Sequence, residues 1–195
     1  MAHGDKTVTG VDSGTNVNNI EADAVNLAKR TKGIVVASGI EDVVTEGENM
    51  SIVTFCGHNE MGIGEEIRER LTRTVEQEIQ NGADTFYLGG YGHFDYMAES
   101  VVWELKKKYP HIKSILVLAY LNREVDMRYY DETTYPPLEN TPMRYAISRR
   151  NEWMTAQADT VIAYVTHGWG GAAQTLQFAK RKHKRIINLG EKEAK

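Results

Sequence analysis

Residues 83–99 read ADTFYLGGYGHFDYMAE, and this stretch decides the fold. A short apolar run, Thr85–Leu88, ends abruptly in Gly89-Gly90-Tyr91-Gly92, and a helical pattern begins at once. A buried parallel strand feeds a tight turn and a helix N-terminus in this way. Glycine lets backbone N–H groups approach a ligand closely, and the helix end adds partial positive charge. The fitting guest is a phosphate or another anion. Glycines also end strands for purely structural reasons, so the neighbouring segments must decide between the two.

Upstream, Ile52–Phe55 reads as a strand, Cys56-Gly57-His58 as a turn, and Gly64–Gln80 as a helix closed by Asn81-Gly82. Ile67, Leu71, Val75 and Ile79 give that helix an apolar stripe at four-residue steps. Downstream, Phe94–Lys108 is a helix with Met97, Val101 and Leu105 inward, stopped by Tyr109-Pro110, and Ser114–Ala119 is another buried strand. Leu121–Pro142 breaks the rhythm with three tyrosines, a Pro136-Pro137 pair and several acids, and reads as a long irregular loop suited to a lid or to ordinary packing. The helix Met143–Gln157, the strand Thr160–Val165, the turn His167–Gly171, the helix Ala172–His183 and the strand Arg185–Leu189 complete the chain. Alternation of this kind predicts an α/β fold, an open, mostly parallel, Rossmann-like sheet flanked by helices. Ligands of such sheets sit beyond the carboxyl ends of the strands. That rule puts Gly57-His58, Gly89–Gly92 and Trp169–Gly171 on one rim.

Residues 1–50 read as a small strand–helix–strand appendage, with residues 51–195 as the Rossmann-like domain. A helical pattern at Glu21–Arg30 is followed by short strands at Ile34–Ala37 and Val43–Thr45. Such a fragment buries too little surface to stand alone. Met50 before an apolar strand resembles a start site, so a fusion or a leader fits this segment.

The 195 residues are 41% hydrophobic and 26% charged, both globular values. The net charge of −4 comes from the first 50 residues, which carry four Lys or Arg against eight Asp or Glu. The balanced remainder offers no global field for nucleic acid or an anionic membrane. The single cysteine, Cys56, rules out an internal disulfide. With no long apolar run and no signal-peptide core, the expected location is cytoplasmic. His58, Glu60 and Cys56 lack the spacing of a metal site, and no metal is expected.

FCGHNE (55–60), GGYGHFDYMAE (89–99) and RRNEWMTAQADTVIAYVTHGWGGAAQTLQFA (149–179) together resemble the SLOG superfamily, specifically its YpsA-like branch. The likeness spans nearly all of residues 51–190. It implies a Rossmann-like fold that binds nucleotides or nucleotide-derived ligands. Relatives include the cytokinin-activating phosphoribohydrolases and the DNA-processing protein DprA. In the phosphoribohydrolases an arginine of an Arg-Lys-x-x-Met segment serves the active site, and Arg150 matches it here. Their Pro-Gly-Gly-x-Gly-Thr-x-x-Glu turn becomes Trp169-Gly170-Gly171-Ala172-Ala173-Gln174-Thr175-Leu176-Gln177, which keeps glycines and lacks the proline and the catalytic glutamate. The wording of GVDS and LAKRTKGIVVASGIEDVVTEGE resembles a fragment of hydroxyethylthiazole kinase, without that family's catalytic segment downstream.

The resemblance and the turns together nominate Gly57, His58, Gly89, Gly90, Gly92, Arg150, Trp169, Gly170, Gly171 and Thr175 for ligand binding. Asp95, Glu99 and Arg150 are the catalytic candidates. Asp95 and Glu99 lie four apart, on one helix face, where the helix N-terminus favours the ionised carboxylate. Cys56 reads as a small buried hydrophobe, Trp103 and Trp153 as core, and Lys180–Arg185 as a solvated helix end. Three functions follow: binding or sensing a nucleotide-type ligand with no cofactor required, hydrolysis of an N-glycosidic bond, and single-stranded DNA binding. A membrane partner is not expected, nucleic acid is the weakest of the three, and a homodimer is compatible with the sequence.

Overall fold

The apolar runs form strands that are covered on both faces, which is why they carry so few polar residues. The computed structural model describes residues 50–59, 64–122 and 124–191, all within the unit Met50–Lys195. The helix and strands expected within residues 1–49, and Glu60, lie outside the described residues. The strands are β1 (Ser51–Gly57), β2 (Ala83–Leu88), β3 (Lys113–Val117), β4 (Glu132–Thr134), β5 (Thr160–Tyr164) and β6 (Arg185–Asn188). The helices are α1 (Glu65–Gln80), α2 (His93–Lys108), α3 (Ala146–Gln157) and α4 (Gly170–Arg181).

The sheet order is β4-β3-β2-β1-β5-β6, and every pairing is parallel. The chain builds outward from β1 to β4, then returns to lay β5 against the other side of β1. Val53 thus stands between Phe86 of β2 and Thr160 of β5. The return makes the β1/β5 boundary the topological switch point, where an open sheet leaves a crevice at its carboxyl end.

Alternation along the strands divides the core between the two faces. Val53, Phe55, Phe86 and Ile162 pack with Leu71, Val75 and Ile79 of α1 and with Phe94, Val101 and Leu105 of α2. Cys56, Val161 and Ala163 pack with Ala173, Leu176 and Ala179 of α4.

Four details differ from the sequence reading. Cys56 and Gly57 belong to β1 rather than to the turn. The long loop contains a 3₁₀ turn, Met127–Tyr129, and β4, whose Glu-Thr-Thr has no apolar pattern because it is a half-solvated edge. The helix expected from Met143 starts as a separate 3₁₀ turn, Met143–Tyr145. Trp103 and Trp153 are only half-buried, the first under the Lys107 ammonium and the second stacked on Tyr87.

Candidate functional site

β1 runs to Gly57 because that residue has no side chain: a Cβ there would stand 2.4 Å from the Phe94 ring. The backbone N–H of His58 then donates to the Tyr164 carbonyl at 3.0 Å, which extends the β1/β5 pairing by one residue and buries the imidazole. On the β5 side, the Asn188 amide holds the strand end, donating to the Val165 carbonyl at 3.0 Å and accepting from the Val165 N–H at 3.0 Å. The loop from Thr166 to Trp169 hangs from that anchor. Between the two strand ends lies a cavity of about 550 Å³.

Two strand ends and three helices form its walls. From the strand ends come Gly57, His58 and His167, and from α4 come Trp169, Gly170 and Gly171. Asp95 and Arg150 close the remaining side. Trp169 is the N-cap residue of α4, in extended conformation and making no side-chain cap, and the first turn of α4 carries no acid. Gly170 has φ 88°, a conformation open to glycine. The first turn of α4 therefore meets the cavity with no side-chain acceptor for its N–H groups among the described residues, at the positive end of the helix.

The turn Gly89–Gly92 is built differently. Gly90 and Gly92 take φ 67° and 97°, as a tight strand-to-helix turn requires. Two donors here are filled from within the protein: the Tyr91 N–H donates to Asp95 Oδ2 at 3.1 Å, and the N–H of His93, the first helical residue, donates to Asn59 Oδ1 at 3.1 Å. Gly89 is glycine because a Cβ would lie 2.6 Å from Asp95 Oδ2 and 2.8 Å from Arg150 Nη1.

Of the residues nominated from sequence, Gly57, His58, Asp95, Arg150, Trp169, Gly170 and Gly171 share the cavity wall. Gly89, Gly90, Gly92, Glu99 and Thr175 do not line it. Glu99 accepts a hydrogen bond from the Tyr130 hydroxyl, and Thr175 donates to the Gly171 carbonyl at 2.9 Å inside α4. Arg150 is 1% exposed, and its Nη1 donates to the carbonyls of Gly89 and Val117. Asn59, Tyr91 and His167 also line the cavity and were not nominated. Their only sequence signal is membership of the same glycine turns.

Burial is the largest influence on Asp95 and pushes its carboxyl up to about 6. The Arg150 charge and the Tyr91 N–H oppose it, and the Glu99 charge adds to it. The helix N-terminus was expected to favour the ionised form, but desolvation outweighs it. Burial, with the Asp95 charge behind it, pushes the Cys56 thiol up to about 12, as suits a packed hydrophobe and not a nucleophile. Among the described residues no group of three His, Cys, Asp or Glu stands together to hold a metal. No helix among them is long and apolar enough to cross a membrane.

No family model matches the chain, and no curated protein matches it. Among solved structures, the chain is similar to DNA processing protein A (DprA) from Streptococcus pneumoniae, at 15% identity and TM-score 0.53 over 72% of this chain and 50% of that one. It thus spans half the length of that protein. It is also similar to DNA processing protein A from Helicobacter pylori, at 14% identity and TM-score 0.52 over 74% and 67%, a structure described for its single-stranded DNA binding mode. A third is the molybdenum cofactor carrier protein from Chlamydomonas reinhardtii, at 14% identity and TM-score 0.51 over 73% and 78%. These neighbours share the open, Rossmann-like α/β arrangement expected from the sequence. At such identities the likeness shows the fold alone.

Proposed function

We propose that residues 51–195 form a module that binds a nucleotide or nucleotide-derived ligand in the β1/β5 crevice, with residues 1–50 as an appendage to it. The observation that carries this reading is the first turn of α4. Its glycine-led N–H groups, with no capping side chain and no acid, line a cavity of about 550 Å³ at the switch point. Small-molecule sites occupy about 300–1,000 Å³, which suits a mononucleotide. A phosphate there gains the amides and the helix field together. The structural neighbours include a cofactor carrier and a protein with a single-stranded DNA binding mode, so this fold supports ligand binding of more than one kind.

One feature favours a second reading, hydrolysis of an N-glycosidic bond. Asp95 lines the same cavity and is pushed up to about 6, near the range a proton-transferring carboxyl needs at neutral pH. Single-stranded DNA binding through Lys180–Arg185 has less support. That run lies at the opposite end of α4 from the cavity, with Lys184 committed to the Ala156 carbonyl and Arg185 to Glu78.

The test is calorimetric titration and proton NMR with ribose 5-phosphate, AMP and ADP-ribose, on the native protein and on Gly171→Ala. A Cβ at Gly171 meets nothing within 4 Å, so the variant is expected to melt with the native protein. Its affinity for the phosphate compounds is expected to fall about tenfold or more as the methyl crowds the amides. Equal affinity in the variant, or no binding of any of the three, overturns the proposal. Free adenine accumulating with time, and not with Asp95→Asn, identifies the glycosidase.

A further inference from the structure

We propose that the rings of His58, His167 and Trp169 form the platform on which the base of the ligand stacks. This rests on the nucleotide reading above and assigns the side chains that hold the base.

The three rings make a column. His167 lies 3.6 Å, centroid to centroid, from His58 and 3.8 Å from Trp169, at 18° to each. His58, at the end of β1, is the buried end at 6% exposed, and Trp169 is the open end at 73%. All three line the cavity. The column therefore runs from the carboxyl end of the sheet to solvent and ends in the side chain with the largest flat apolar face.

That end is anomalous by burial. Trp103 packs edge-on against Tyr129 under the Lys107 ammonium, and Trp153 stacks on Tyr87. Trp169 has His167 against one face and is otherwise exposed, which forgoes the hydrophobic gain its companions make. A base laid on the indole supplies the missing contact, and stacking of this kind is tolerant of which base it is. The histidines beneath limit the orientations of the indole before any ligand arrives, so less freedom is lost on binding.

Chain connectivity joins this platform to the phosphate site. Trp169 is the N-cap of α4, and Gly170 and Gly171, which open its first turn, follow it directly. Because indole and amides belong to consecutive residues, the base and the phosphate of one nucleotide can engage both. The class assigned is a nucleotide bound through both ends, rather than a sugar phosphate bound through one.

The experiment uses the full chain, with calorimetric titration of AMP, ribose 5-phosphate and inorganic phosphate and the quenching of tryptophan emission as a second readout. AMP is expected to bind about tenfold to a hundredfold more tightly than ribose 5-phosphate, the size of one stacked base. Trp169→Ala is expected to bring AMP down to the affinity of ribose 5-phosphate while ribose 5-phosphate itself is unaffected. Trp169→Phe is expected to restore part of the difference, and AMP quenches emission in the native protein but not in that variant. If ribose 5-phosphate binds and AMP binds no better, or if Trp169→Ala weakens both equally, the platform is overturned and the phosphate site stands. If none of the three compounds binds, the phosphate reading falls and the platform with it.

Discussion

The guanidinium of Arg150 donates to the carbonyl oxygen of Gly89, tying the middle of α3 to the end of β2. The same Nη1 reaches the Val117 carbonyl at the end of β3 at 3.0 Å. A cation buried this deeply satisfies acceptors that no water reaches, so its first duty is to hold strand ends and α3 together. Its charge also acts on Asp95. Arg150→Ala is expected to cost about 3 kcal/mol of stability, because two carbonyls lose a donor and Asp95 loses its balancing charge. Urea unfolding measures this. An unchanged midpoint with lost ligand affinity would return Arg150 to the role of a phosphate ligand alone.

Asp95 gives the protein a pH dependence of definite sign. Its carboxyl is raised from 3.8 to about 6 on folding, so the native state holds this proton more tightly than the unfolded chain does. The resulting stabilisation is complete below the unfolded value and is lost as pH rises through about 6. Asp95→Asn is permanently neutral and still accepts the Tyr91 N–H. The variant is expected to match the native protein near pH 4 and to exceed it above pH 7 by up to about 3 kcal/mol. Unfolding free energies across that range give the answer, and a constant difference between the two proteins would show that Asp95 is not the group responsible.

Two glycines near the cavity have opposite tolerance. A Cβ on Gly57 falls 2.4–2.5 Å from three atoms of Phe94, a fully buried side chain in the core. A Cβ on Gly168 meets nothing within 4 Å. Gly57→Ala is expected to lose about 1–3 kcal/mol through overpacking. Gly168→Ala is expected to stay within about 0.5 kcal/mol of the native protein. Thermal melts of the pair separate packing from conformational freedom.

Cys56 is buried between β1 and α4, with its thiol raised to about 12. Thiolate is the reacting form, so native protein at pH 8 is expected to resist a thiol-specific disulfide reagent. Stoichiometric reaction in guanidinium chloride supplies the reference. Rapid labelling of the folded protein would mean that the strand end opens on the timescale of the assay.

The elements were legible because they rest on short-range signals. The four-residue stripe of α1 places Leu71, Val75 and Ile79 in the core. The apolar runs became β1, β2, β3 and β5, and Gly82, with φ 99°, ends α1 where Asn81-Gly82 was read as a stop. β4 was missed because an edge strand of Glu-Thr-Thr needs no apolar alternation, only a neighbour with free backbone groups. The start of α4 was placed two residues late, since glycines score poorly as helix formers and still occupy a first turn.

By itself, then, the sequence determined the alternation of strands and helices, the glycine turns at their junctions, and the candidate residues on one rim. Tertiary structure alone decided which of those turns share a cavity. The return of β5 to the free side of β1 is a long-range pairing that no local period encodes, and it brings His58 against His167 across more than a hundred residues. The same pairing leaves Gly89–Gly92 one strand away, where Asp95 takes the Tyr91 N–H and Asn59 that of His93 just beyond the turn. Arg150 shows the reason most plainly. Its type and spacing suit a ligand phosphate, but burial between α3 and two strand ends gave its guanidinium backbone carbonyls to satisfy first.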